Sequence, residues 1–151
     1  MLNLVLFEPE IPSNTGSIIR LSANIGAILH LIKPYGFEMT DKRLRRAGLD
    51  YKELARVFEY DNFNHYTNEA KPMRLFAVSS KASQNYTKVQ YQENDSFLFG
   101  PETRGLPKEM LDQYDGITLP MQKGSRSLNL SNCVSIVAYE VWRQLNFKAM
   151  A

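Results

Sequence analysis

The stretch LPMQKGSRSLNLSNCVSIVAYE, residues 119–140, joins a polar loop directly to one of the most apolar runs in the chain. Six of the nine residues 124–132 are Ser, Asn or Arg (Ser125, Arg126, Ser127, Asn129, Ser131 and Asn132). A helix cap uses one or two such side chains, and Ser131 or Asn132 suffices for it. The others crowd the edge of what reads as core. Behind them a helix is predicted over about 130–146, with Val134, Val137, Ala138, Val141 and Leu145 at helical spacing. Cys133, Ile136 and Trp142 widen that stripe. A helix apolar over so much of its circumference is buried on more than one side. In so short a chain, one of those sides can be a subunit interface. Tyr139 lies close to the stripe, where a buried phenol needs a partner.

Working back from this helix, the chain alternates strand and helix signals. LNLVLF (2–7), AILHLIK (27–33), RLFAVSS (74–80), SFLFG (96–100) and GITLP (116–120) are short apolar runs of the kind that form buried strands. SIIRLSANIG (17–26) places Ile18, Leu21, Ser22 and Ile25 on one helical face, with Gly26 as its stop. The polar segment 41–58 has helical spacing, with a break at Gly48. LPKEMLDQ (106–113) reads as a short helix with Pro107 at its first position. This alternation predicts an α/β domain with a mostly parallel sheet flanked by helices. In such sheets ligands bind outside the carboxyl ends of the strands. Three polar, glycine-bearing loops stand there: EPEIPSNTG (8–16), GPETRGLP (100–107) and the opening stretch.

Composition narrows the classes. The chain has 151 residues, 44% hydrophobic and 23% charged, as expected of one folded domain rather than a disordered chain. No apolar run reaches the roughly 18–20 residues of a membrane span, and MLNLVLFEPEIP lacks the features of a signal peptide. Cys133 is the one cysteine, which excludes a disulfide framework and fits a reducing cytoplasm. With only His30 and His65 beside it, no metal site is expected. The position after the first strand holds EPEIPSNTG rather than GxGxxG, and no Walker A loop occurs, so a standard dinucleotide or P-loop site is disfavoured. A net charge of +2 identifies no nucleic-acid binder, so only a local patch can.

Each loop carries two readings. Ser13 or Asn14 can cap the helix that SNTG opens, or its free amides can hold an anion. Arg20, one turn inside, is either a surface residue paired with Glu8 or Glu10 or part of that site. In GPETRGLP, Glu102 and Arg104 are either solvated on a tight turn, or they belong to a backbone lying close to a ligand. Lys42, Arg43, Arg45 and Arg46 fall within five residues, and Lys52 and Arg56 continue the series. They form either a solvated helix face or a phosphate-binding patch.

Taken in order, NTGSIIRLSANIGA, FLFGPETRGLP and LPMQKGSRSLNLSNCVSIVAYE resemble the three motifs of the SPOUT class of RNA methyltransferases. EPEIPSNTG, DKRLRRAGLDY and YEVWRQL are similar to its small bacterial subgroup acting on the ribose 2′-oxygen of the tRNA wobble nucleotide. The resemblance covers nearly the whole chain. It implies one SPOUT domain over 1–151 with a C-terminal deep trefoil knot and no separate RNA-binding domain. It also implies a cytoplasmic homodimer and S-adenosylmethionine as methyl donor, with S-adenosylhomocysteine as product. Position by position it places Val78, Gly100, Leu119 and Ser127 at the cofactor, with Met121 and Leu128 as apolar neighbours of the adenine. Without an added domain the dimer itself must hold the anticodon stem-loop, which raises the claim of Lys42, Arg43, Arg45 and Arg46 as phosphate contacts.

The implied reaction is an in-line methyl transfer that needs no metal, because a sulfonium is already a good leaving group. The resemblance puts Arg20 at the nucleophile. Since a guanidinium stays protonated in proteins, its role is to hold a phosphate and stabilise developing alkoxide. Asn14 would place the ribose, Ser125, Arg126 and Asn129 would orient the substrate, Tyr139 would support the site, and Glu102 would fix the second-motif loop by accepting backbone amides. Three other readings remain: a ribose methyltransferase of the same class acting elsewhere on tRNA or rRNA, a non-catalytic RNA-binding module with this fold, and a small-molecule α/β enzyme.

Overall fold

The computed structural model describes residues 1–47 and 56–149. Six strands, β1 (Asn3–Phe7), β2 (Ile28–Ile32), β3 (Arg56–Tyr60), β4 (Leu75–Val78), β5 (Ser96–Phe99) and β6 (Asp115–Ile117), form one sheet in the order β3-β2-β1-β5-β4-β6. Every pairing is parallel. The helices are α1 (Pro12–Ile25), α2 (Lys42–Ala47), α3 (Phe63–Ala70), α4 (Lys108–Gln113) and α5 (Leu130–Gln144).

The central strands read as largely apolar runs because both faces of the sheet are covered. Leu4 and Leu6 of β1 point into the core shared with Ile18 and Ile19 of α1 and Val134, Val137 and Val141 of α5. Val5 and Phe7, in the alternate register, join Leu98 and Tyr66 of α3 in a second core on the opposite face. Burying one such aliphatic side chain contributes roughly 1.5–3 kcal/mol, so both faces hold the sheet.

Two elements depart from the expectation. The helical reading of 41–58 is corrected at its end: α2 is described over Lys42–Ala47, and residues 56–60 pair with β2 as β3. The break at Gly48 and Lys52 lie outside the described residues. β3 is an edge strand whose Arg56, Phe58 and Glu59 stay exposed, so it lacks the apolar run that marks its neighbours. α3 gave no signal because it is short and polar, with Asn62 as its cap accepting from the His65 amide.

The predicted helix starts shift too. α1 begins at Pro12, and its cap residue Ile11 makes no side-chain cap bond, so neither Ser13 nor Asn14 caps it. Pro107 precedes α4 as its cap residue rather than opening it. The cap of α5 is Asn129, whose Oδ1 accepts from the amides of Ser131 (2.9 Å) and Asn132 (3.3 Å). Gly26 ends α1 as expected, at φ 71°.

β1 lies between β2 and β5, which the chain reaches in opposite directions, so the crevice rule places a ligand at the carboxyl ends of these strands. The C-terminal segment is tied to the β4–β5 connection at both ends. Thr118 exchanges backbone bonds with Gln84 and Tyr86. Gln144 of α5 accepts from the Tyr91 amide and donates to the Val89 carbonyl.

Candidate active site

The loops after β1 and β5 interlock residue by residue. The Glu102 carboxylate accepts from the amides of Glu10 (3.0 Å) and Ile11 (2.5 Å), meeting the start of α1 from across the crevice. In return the Glu10 carboxylate accepts from the amide (2.9 Å) and hydroxyl (2.7 Å) of Thr103. Arg104 pairs with Glu8 at 3.2 Å. The bonds from Thr103 hold the Glu10 carboxyl below its ordinary pKa. Glu102 thus accepts backbone amides as expected, but they belong to the first-motif loop rather than to its own.

Asn14 extends this lock to the third motif. Its Nδ2 donates to Glu102 at 3.4 Å, a long bond, while its Oδ1 accepts from Asn129 Nδ2 at 3.1 Å. Asn129 spends its other end on the cap of α5. One chain of contacts therefore runs from the β5–α4 loop through α1 to α5. Asn14 is only 6% exposed, so burial commits its amide to these partners.

Beside the lock lies a cavity of about 450 Å³, within the range of small-molecule sites. All six positions expected at the cofactor, Val78, Gly100, Leu119, Met121, Ser127 and Leu128, line it, as do Asn14 and Asn129. Residues at the strand ends and in the loops that follow them, among them Val78, Phe99 and Leu119, line it. A Cβ on Gly100 would come within 2.5 Å of the backbone of Gly105 and Leu106, so only glycine lets the loop fold back on itself there. Met121 and Leu128, over a third exposed, give apolar surface to a planar ligand, and Ser79, Ser80 and Ser127 give it polar partners. The volume and this mix of surfaces fit an adenosine-bearing cofactor.

The remaining expected residues are not gathered at the cavity. Arg20 is exposed on α1, and Ser125 and Arg126 are exposed on the β6–α5 loop; none of the three lines it. The expected burial of Tyr139 is overturned: it is 48% exposed on the outer face of α5, edge-on to Trp142. On α2, Lys42, Arg43, Arg45 and Arg46 are exposed around the buried Leu44, with Arg43 bound to Asp41 at 3.0 Å. Sequence reasoning missed Glu10 and Thr103 as partners and Ile11 and Lys81 as cavity residues. The one available signal was complementary chemistry, EPE facing ETR.

The SpoU rRNA Methylase family profile matches residues 1–139. The chain belongs to that family. It is 56% identical to a tRNA (cytidine(34)-2′-O)-methyltransferase of Yersinia pestis, across 97% of this chain and 96% of that one. A structure solved for insight into 2-OH methylation of C/U34 on tRNA superposes with a TM-score of 0.93 at 41% identity, covering 97% of both chains. The SpoU methyltransferase AviRb of Streptomyces viridochromogenes, in complex with AdoMet, shares the fold with a TM-score of 0.86 at 22% identity, over 97% of this chain and 61% of that one.

Proposed function

We propose that the protein transfers a methyl group from S-adenosylmethionine to the ribose 2′-hydroxyl of the nucleotide at position 34 of tRNA. The observation that carries this reading is the cavity at the junction of three loops, joined by Glu102, Asn14 and Asn129. The named activity of the Yersinia pestis relative supplies the substrate. Val78, Gly100, Leu119, Met121, Ser127 and Leu128 would hold the cofactor. S-adenosylmethionine supplies an electrophilic methyl on a sulfonium, so no metal is called for.

The protein's task is alignment and charge. Arg20, cationic and exposed, holds a backbone phosphate and stabilises negative charge developing on the 2′-oxygen. Ser125 and Arg126 orient the RNA. Asn14 acts by joining the loops, since its amide is already committed. Arg20 and Tyr139 stand outside the cavity lining of their own chain, which supports a homodimer that completes each site. The exposed apolar residues Ile136 and Tyr139 on α5 support the same arrangement. The exposed cations of α2 serve as phosphate contacts for the anticodon stem-loop. A single domain, a cytoplasmic location and a knotted C-terminal segment complete the proposal. The ties of that segment to the β4–β5 connection support the knot.

The test is incubation with labelled S-adenosylmethionine and tRNA, followed by digestion to locate the label. Label on a base, or at another nucleotide, overturns the reading. Arg20→Ala should bind S-adenosylmethionine nearly as well as wild type and lose at least 100-fold in methyl transfer, the scale of an electrostatic stabiliser. Undiminished turnover removes Arg20 from the site.

A further inference from the structure

A second groove, of about 500 Å³, opens at the amino-terminal end of the sheet, on the face that carries α3. Arg56, Phe58, His30 and Tyr60 line it from β2 and β3, and His65 and Glu69 line it from α3. α3 has only 8 residues and leaves the edge strand partly bare, so Phe58 is 48% exposed. Its ring is nonetheless flanked by the His30 imidazole, its partner on β2, stacked at 6.1 Å and 25°. His30 is itself fixed at both ring nitrogens, by Tyr60 (2.8 Å) and Asn3 (3.0 Å). Burial lowers its pKa to about 4, so the support stays neutral at ordinary pH.

We propose that this groove holds one unstacked nucleotide of the RNA substrate, its base lying on Phe58. The inference rests on the RNA-methyltransferase reading and adds a contact to it. A rigid, half-exposed aromatic ring is the platform on which proteins stack splayed RNA bases. Around it stand the polar partners a nucleotide needs. The guanidinium of Arg56 donates to the Met1 sulfur, a weak acceptor, and pairs with no carboxylate among the described residues, so it can meet a phosphate. The His65 Nδ1 accepts from the Asp61 amide, which makes Nε2 the donor side of the ring. Glu69 accepts from base amino or imino groups. The groove and the methyl-donor cavity lie at opposite ends of the strands and three strand positions apart, about 20 Å on strand spacings. That is roughly six stacked nucleotides of one strand.

The test is anisotropy with fluorescent anticodon stem-loop RNA across a salt series, run on the full chain alongside methyl transfer and S-adenosylmethionine binding. Phe58→Ala should weaken RNA binding about tenfold, the scale of one lost stacking contact, with an unchanged salt slope. Phe58→Trp should restore it. Arg56→Gln should lower the salt slope by about 0.7–0.9, as expected for one phosphate contact. Unchanged RNA affinity in Phe58→Ala overturns the proposal, and so does a loss matched by equal losses in melting temperature and cofactor binding. Cytidine monophosphate that binds the groove while RNA affinity ignores Phe58 assigns it to a free nucleotide and also overturns it. If wild-type protein methylates tRNA while Phe58→Ala is indifferent, the groove alone fails. If wild-type protein methylates no tRNA, the activity reading fails first.

Discussion

The β5–α4 loop and the β6–α5 loop border the same cavity but are built in opposite ways. In the first, Glu102, Thr103 and Arg104 each have a partner in the β1–α1 loop. In the second, residues 121–129 are all exposed, and Asn129 alone carries the side-chain bonds that anchor it. One wall is preorganised before any ligand arrives. The other leaves its side chains open to solvent, with Asn129 as its anchor. The arrangement suits a methyl transfer in which a rigid wall aligns the donor and an adaptable wall closes over the acceptor.

The comparison breaks most severely at Gly100. Gly100→Ala forces a Cβ against backbone at 2.5 Å, and backbone cannot step aside as a side-chain end can. Overpacking of this kind costs about 1–3 kcal/mol. Since the displaced backbone lines the cavity, S-adenosylmethionine affinity should fall about tenfold to a hundredfold by titration calorimetry. Wild-type affinity would mean the first wall is not rigid. Glu102→Gln comes next. It keeps the volume but loses the charge and one acceptor, and charged hydrogen bonds contribute about 1.5–3 kcal/mol. The urea midpoint should drop accordingly, with S-adenosylmethionine binding weakened less than in Gly100→Ala. An unmoved midpoint would mean the interlock adds nothing.

These residues also mark how far the sequence could be read. β1, β2, β4 and β5 are legible because burial on both faces leaves them mostly apolar, with Asn3, His30 and Ser96 as the polar exceptions. β3 is illegible for the converse reason, since an edge strand keeps polar and exposed positions that mimic a helix face. The cofactor wall is legible because its residues follow strand ends, where the crevice rule already points. The interlock is not. Glu102 and Asn14 lie 88 residues apart and Asn14 and Asn129 lie 115 apart, and no local pattern encodes such pairings. The Asn129 cap shows the same limit. Ser131 and Asn132 look equally able, and only the position of Asn14 makes Asn129 the residue that ties the helix to the site.

Acid should loosen the first wall by a smaller amount. The bonds from Thr103 depress the folded-state pKa of Glu10, so its contribution is present above the unfolded value. It is lost as pH falls below about 4.3 and through the folded value. The stability difference between wild type and Glu10→Gln should therefore be largest near neutral pH and shrink in that window, followed by melting temperature. A difference that does not change with pH would detach Glu10 from the interlock.

The smallest effect should be the most discriminating. Hydrogen exchange followed with and without S-adenosylmethionine should slow the amides of 121–128, which the chain itself leaves exposed. The amides of Glu10, Ile11, Thr103 and Gly105 already donate to Glu102, Glu10 and the Pro101 carbonyl. They should change little, because local opening there is already opposed by bonds the ligand does not make. Equal protection of both loops would mean that the β5–α4 loop also waits for its ligand. Protection of the first loop alone would reverse the assignment, making the β6–α5 loop a surface that only RNA or a second subunit orders.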